Sequence, residues 1–215
     1  MITLKSQTRQ APGAGAGILV IFLLACAPPL SLSAQQPGTA IVFYAQPQVR
    51  EDLWPALFEA LRADLDAGIG KLPNGLSPDR TAVFLRGEDF ARSSGFANVV
   101  EVELLGRCDL LPQADRPFLR GPLGWVVLAS GKIRPIVSID CARLAQVLRP
   151  AAIGLDKEAR RHAMAQAIAH VLIHEWIHVT TQSPSHAANG ILQATLTINQ
   201  LIAEPRSRRS SLAAR

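Results

Sequence analysis

The chain has 215 residues, 48% hydrophobic and 18% charged, which excludes disorder over most of its length and fits one domain with short appendages. The formal charge of +5 does not mark a nucleic-acid surface, because Lys5, Arg9, Arg206, Arg208, Arg209 and Arg215 lie at the two ends. Residues 35–204 carry 16 bases against 17 acids, whereas a nucleic-acid groove needs Lys and Arg concentrated in the folded part.

Lys5 and Arg9 precede an apolar run over residues 18–27 that Pro28 and Pro29 close. The run is short for a bilayer span but fits a signal-peptide core. Ser31-Leu32-Ser33-Ala34 then places a small residue before Gln35, so cleavage after Ala34 is expected, giving a periplasmic or secreted chain. Leu23-Leu24-Ala25-Cys26 also reads as a lipobox, which would instead leave a lipoprotein attached to a membrane through Cys26. In either case export is expected, and the remaining cysteines, Cys108 and Cys141, read as a disulfide. Two separately buried thiols are the alternative. Neither cysteine belongs to a CxxC pair, so a cysteine metal site is not expected.

Residues 35–204 read as one α/β domain. A strand is expected at 40–44, then an amphipathic helix over 51–65 with Leu53, Leu57, Leu61 and Leu65 on one face. The Gly- and Pro-rich stretch 68–79 is a loop, followed by a strand at 81–85. Val99 to Leu105 partly alternates apolar and acidic residues, the pattern of a strand with one wet face. Residues 125–129 and 133–139 flank the turn Ser130-Gly131-Lys132 as a hairpin. Asp156 is a suitable N-cap for a long helix over 157–181, and Ser183-Pro184 marks its end. A final helix is expected within 190–204, and 205–215 is a basic, disordered tail.

All five histidines, His162, His170, His174, His178 and His186, fall on or just after the long helix. Among them His174-Glu175-Trp176-Ile177-His178 forms an HExxH motif. Residues four apart on a helix rise about 6 Å and turn about 400°, so the two imidazoles point the same way and one zinc ion can bridge them. Glu175 lies about 100° round the helix, placed to act as a base rather than a ligand. A third ligand is needed. His186, beyond the proline, is preferred, and Glu204 on a following helix is the rival. His170 is one turn too far back to share the ion and reads as a supporting or packed residue; His162 reads as a surface residue. Trp176, Ile177, Ile168, Val171, Leu172 and Ile173 read as packing residues that make the helix apolar on most sides.

At these residues the sequence resembles the zincin metallopeptidases, and within them the metzincins, whose signature is HExxHxxGxxH followed by a methionine turn. Here Thr181 stands at the Gly position and Pro184 at the third His position, with His186 two residues later. The segment 185–192 resembles exported bacterial zincin-like proteins in which HExxH is followed by seven residues, a His and a Gly-Ile-Met or Gly-Leu-Met element; Leu192 occupies the Met position. The resemblance implies a zincin-like mixed sheet with a long active-site helix, and a hairpin edge that binds an extended peptide or protein substrate. It also implies an exported zinc metallopeptidase, a hydrolase in which His174, His178 and His186 hold zinc and Glu175 is catalytic. The alternative is a non-catalytic exported domain with a structural or vestigial metal site.

Overall fold

The computed structural model describes residues 38–72, 78–93, 95–110, 120–188 and 190–203. The expected leader with Ala34 and Cys26, the rival ligand Glu204 and the basic tail lie outside the described residues.

The fold is mixed α/β. In chain order the elements are β1 (Thr39–Ala45), α1 (Leu53–Asp66), β2 (Val83–Arg86), α2 (Gly87–Phe90), β3 (Asn98–Leu105), β4 (Gly124–Ala129), β5 (Lys132–Asp140), α3 (Cys141–Leu148), α4 (Lys157–Thr181) and α5 (Ile198–Leu201). They build a five-stranded sheet in the order β2-β1-β3-β5-β4. Four strands are parallel, and β4 runs antiparallel to β5 at one edge. The alternation read from β3 is realised: Val100, Val102 and Leu104 are buried while Glu101 and Glu103 are exposed. Ile41 and Phe43 from β1, and Val137 and Ile139 from β5, join the same buried core.

Helix α4 is the centre of that core. Asp156 caps its start by accepting from the Ala159 amide at 2.7 Å. Every residue from Met164 to His178 is buried, as expected for a helix apolar on nearly all sides. Two glycines let backbone approach it from different segments. A β-carbon on Gly70 would lie 2.8 Å from Ile173 Cγ2, and one on Gly124 would lie 2.5 Å from Val171 Cγ1 and 3.2 Å from Glu175 Cγ. The helix ends at Gln182, which takes the left-handed conformation (φ 53°, ψ 31°). The Gln182 side chain accepts from the Ile133 amide at 3.0 Å and donates to the Ile133 carbonyl at 2.9 Å, tying the helix end to β5.

Two helices stand where none is expected from the sequence, the single turn α2 and the longer α3. Helix α3 was not anticipated, although Cys141, Leu144 and Leu148 form a buried stripe at helical spacing. The final helix expected within 190–204 is present as one α-helical turn, α5, preceded by a 3-10 turn at Gly190–Leu192. The expected disulfide is present: Cys108, after β3, is joined to Cys141, the first residue of α3, across 33 residues. It fixes α3 against the end of the sheet. Closing a loop of that length stabilises by about 3–4 kcal/mol through the entropy of the unfolded chain. Reduction, or Cys108→Ser with Cys141→Ser, is therefore expected to lower the denaturant midpoint of the pure protein by a corresponding amount; an unchanged midpoint would contradict that role.

Candidate metal centre

His174 and His178 stand one turn apart on α4, and their side chains are almost wholly enclosed. His174 Nδ1 lies 2.7 Å from the carbonyl oxygen of Ile191, and His178 Nδ1 lies 2.6 Å from that of Ser183. A carbonyl can only accept, so each Nδ1 carries the hydrogen and donates it. Each Nε2 is then a lone-pair donor to a metal, and the two Nε2 atoms are 3.2 Å apart. With no hydrogen left for either, two lone pairs at that distance repel unless a cation or an extra proton lies between them. Two nitrogens each about 2.1 Å from one tetrahedral ion stand about 3.4 Å apart, so the buried pair already fits.

His186 completes a triangle. Its ring centroid is 5.2 Å from that of His174 and 4.9 Å from that of His178, while the helix pair is 4.8 Å apart. One nitrogen from each ring can be chosen so that all three lie within 4.8 Å of one another. His186 is the exposed member of the three, while the buried pair is fixed by its two carbonyls. An all-imidazole donor set of this kind suits Zn, Cu, Fe or Ni and not the oxygen-seeking Ca or Mg. The group can therefore hold a transition-metal ion.

The local chain path explains how His186 arrives there. Thr180 and Thr181 satisfy their hydroxyls on the carbonyls of Trp176 and Ile177, at 2.9 and 2.8 Å, and the helix runs through Thr181. Reversal is delayed to Gln182, and Ser183 then presents its carbonyl to His178. Beyond His186, the Ala187 amide donates to the Leu192 carbonyl at 2.9 Å, which draws the 3-10 turn and Ile191 beneath His174.

Glu175 faces the same space without joining the triangle. Its Oε1 is 4.0 Å from His174 Nε2, and burial pushes its carboxyl up to about 7. Burial also holds the His174 imidazole below the ordinary histidine range, with the neighbouring histidines adding to the effect. The cluster lies in a cavity of about 650 Å³ lined also by Leu123, Trp125, Arg143, Val147, Thr195 and Leu196. Its wall is thus built from β4, α3, α4 and the segment before α5.

His170 does not reach the triangle; it turns toward Asp64 and Gln166. His162 is at the surface, 2.8 Å from Glu158. The carbonyls of Ser183 and Ile191, the close approach of Gly124 and the wall residue Arg143 were not legible as site features. Backbone carbonyls leave no trace in a sequence, and Arg143 stands on a helix that was not anticipated. Comparison of the chain with protein-family models, with curated proteins and with solved structures finds no match.

Titration with Zn²⁺ or Co²⁺ is expected to saturate at one ion per chain. Alanine at His174, His178 or His186 should each weaken binding by more than the roughly 10–100-fold that loss of an outer hydrogen-bond partner costs. Retention of wild-type affinity by His186→Ala would remove it from the ligand set. Gly124→Ala should destabilise the fold by about 1–3 kcal/mol by forcing β4 off α4, measured as a drop in melting temperature.

Proposed function

We propose that the protein is an exported zinc-dependent metallopeptidase of the zincin type, with His174, His178 and His186 as ligands and Glu175 as general base. The observation that carries the reading is the convergence of three imidazoles, with a carboxylate beside but outside them, on one wall of an open cavity. Zinc is the metal of choice for three imidazole ligands with a fourth position left open. A purely structural site closes its fourth position with protein and has no use for Glu175.

A bound zinc supplies a Lewis acid and a water acidified to near neutral pH. The remaining chemistry belongs to the chain. The Ser183 and Ile191 carbonyls hold His178 and His174 in the tautomer that frees Nε2. Glu175 takes the proton from the attacking water and delivers it to the leaving amine, a transfer that zinc alone does not perform. Among the described residues no strand pairs with the outer edge of β4, and Gly124, Trp125 and Val126 of that strand line the cavity. An extended peptide or protein substrate would lie along this edge, adding a strand to the sheet, with a side chain against Leu123, Val147 and Leu196.

The resemblance to the metzincins supports the same assignment, and the departures from their motif have a local counterpart. Because helix α4 continues through Thr181 and reverses at Gln182, the third histidine is reached later in the chain, at His186. Leu192, at the methionine position, sits in the turn whose Ile191 carbonyl orients His174. Export is supported by the Cys108–Cys141 disulfide, since such bonds persist in oxidising compartments.

Glu175→Gln tests the reading because it keeps the side-chain shape. The variant is expected to bind zinc and melt as wild type does, while peptide hydrolysis falls by about two to four powers of ten. A zinc-loaded wild-type protein that cleaves nothing in a broad peptide library, or a Gln variant that cleaves equally well, would overturn the assignment.

A further inference from the structure

Among the described residues the buried polar side chains include Asp64, Gln166 and His170, none of which touches the cavity of the three histidines. They form one assembly. Asp64 on α1 is fully buried, and the Gln166 amide nitrogen on α4 lies 3.0 and 2.8 Å from its two oxygens. A carboxylate accepts, so it is the NH₂ end of Gln166 that faces it. The same nitrogen is 3.1 Å from His170 Nε2, which itself lies 3.3 Å from an Asp64 oxygen. His170 Nδ1 in turn donates to the Leu201 carbonyl on α5 at 3.1 Å. Three helices are thereby linked through one buried polar network. Apolar side chains could fill this space without burying a carboxylate, and a satisfied polar network specifies one arrangement where an apolar core would tolerate several.

What that arrangement fixes is the segment leading back to the histidine triangle. Thr197 and Gln200 form a capping box at the start of α5. The Gln200 amide donates to the Gln193 side-chain oxygen at 3.1 Å, and Gln193 donates to the Ala188 carbonyl at 3.1 Å, two residues from His186. Between these points Ile191 accepts from His174. Two sets of hydrogen bonds, joined by the backbone of α5 between Leu201 and Gln200, therefore run from Asp64 to the loop of the third histidine.

We propose that Asp64, Gln166 and His170 are positioning residues: by anchoring Leu201 they hold the strap 190–201, and with it the Ile191 carbonyl and the His186 loop, against the three-histidine centre. The consequence for metal rests on the metal-centre reading; the anchoring of the strap does not.

The experiment compares wild type with His170→Ala, with His170→Asn, whose amide can restore the donor to Leu201, and with Leu57→Ala, a fully buried core truncation on α1. His170→Phe, which fills the space and donates nothing, takes the place of the alanine variant if that does not fold. The first readout is hydrogen exchange at Gln193, Leu201 and Ile202, whose amides bond within the strap and α5. The second is Co²⁺ affinity with its visible spectrum, below every melting transition. His170→Ala is expected to speed strap exchange and to weaken Co²⁺ about 10-fold, the scale of losing an outer partner of a ligand. His170→Asn should return both toward wild type, and Leu57→Ala should lower the melting temperature while moving neither. Unchanged strap exchange in His170→Ala, or an equal effect of Leu57→Ala on strap and Co²⁺, overturns the proposal. If wild type takes up no Co²⁺, the metal-centre reading fails, and the exchange data still decide whether the strap is anchored through His170.

Discussion

Two imidazole nitrogens carrying lone pairs lie 3.2 Å apart inside this fold, and much of the surrounding structure keeps them there. Each ring has already committed its hydrogen to a backbone carbonyl, so turning either ring to relieve the repulsion would strand a buried Nδ1–H. An unmade hydrogen bond in the interior costs about 1–3 kcal/mol. The pair is thus held in a state that a cation stabilises, and the third imidazole stands on the open side.

The rest of the fold can be followed outward from that constraint. Holding two rings rigidly requires a helix that does not tilt, and α4 is enclosed from Met164 to His178 with backbone pressed against it at Gly70 and Gly124. The sheet supplies one flank, with β4 so close to Val171, and next to Glu175, that a β-carbon at position 124 would force the strand away. On another side α3, pinned through the Cys108–Cys141 bond, carries Arg143 and Val147 into the cavity wall. The strap after the helix is short of regular structure and is held by side-chain bonds to backbone and to other side chains. That is how a segment with little burial keeps one conformation.

The long helix was legible because its signals are local: Asp156 in front, an almost unbroken apolar surface, and Ser183-Pro184 behind. The HExxH spacing carried two of the three imidazoles and Glu175 for the same reason, since helical geometry converts a four-residue interval directly into a shared face. The place of His186 rested on a weaker argument, a nearby loop and a suitable side chain, and its approach depends on Gln182 taking a left-handed conformation that no residue type there announces. Helix α3 is short, and its helical period rests on three residues, Cys141, Leu144 and Leu148, which is a weak local signal. The last helix falls inside the expected segment 190–204, as a single turn whose start Thr197 and Gln200 cap. Strand order, the edge position of β4 and the relay from Asp64 to Leu201 join residues far apart in the chain, and local pattern does not record such pairings.

X-ray absorption at the metal edge of protein purified without chelator or added metal tests the central claim most directly, because it reads the ligand shell without reference to any substrate. The account predicts zinc with three imidazole nitrogens at about 2.0–2.1 Å and one further light-atom ligand of non-imidazole type. Fewer than three imidazoles, a sulfur in the shell, or a fourth imidazole closing it would contradict the account.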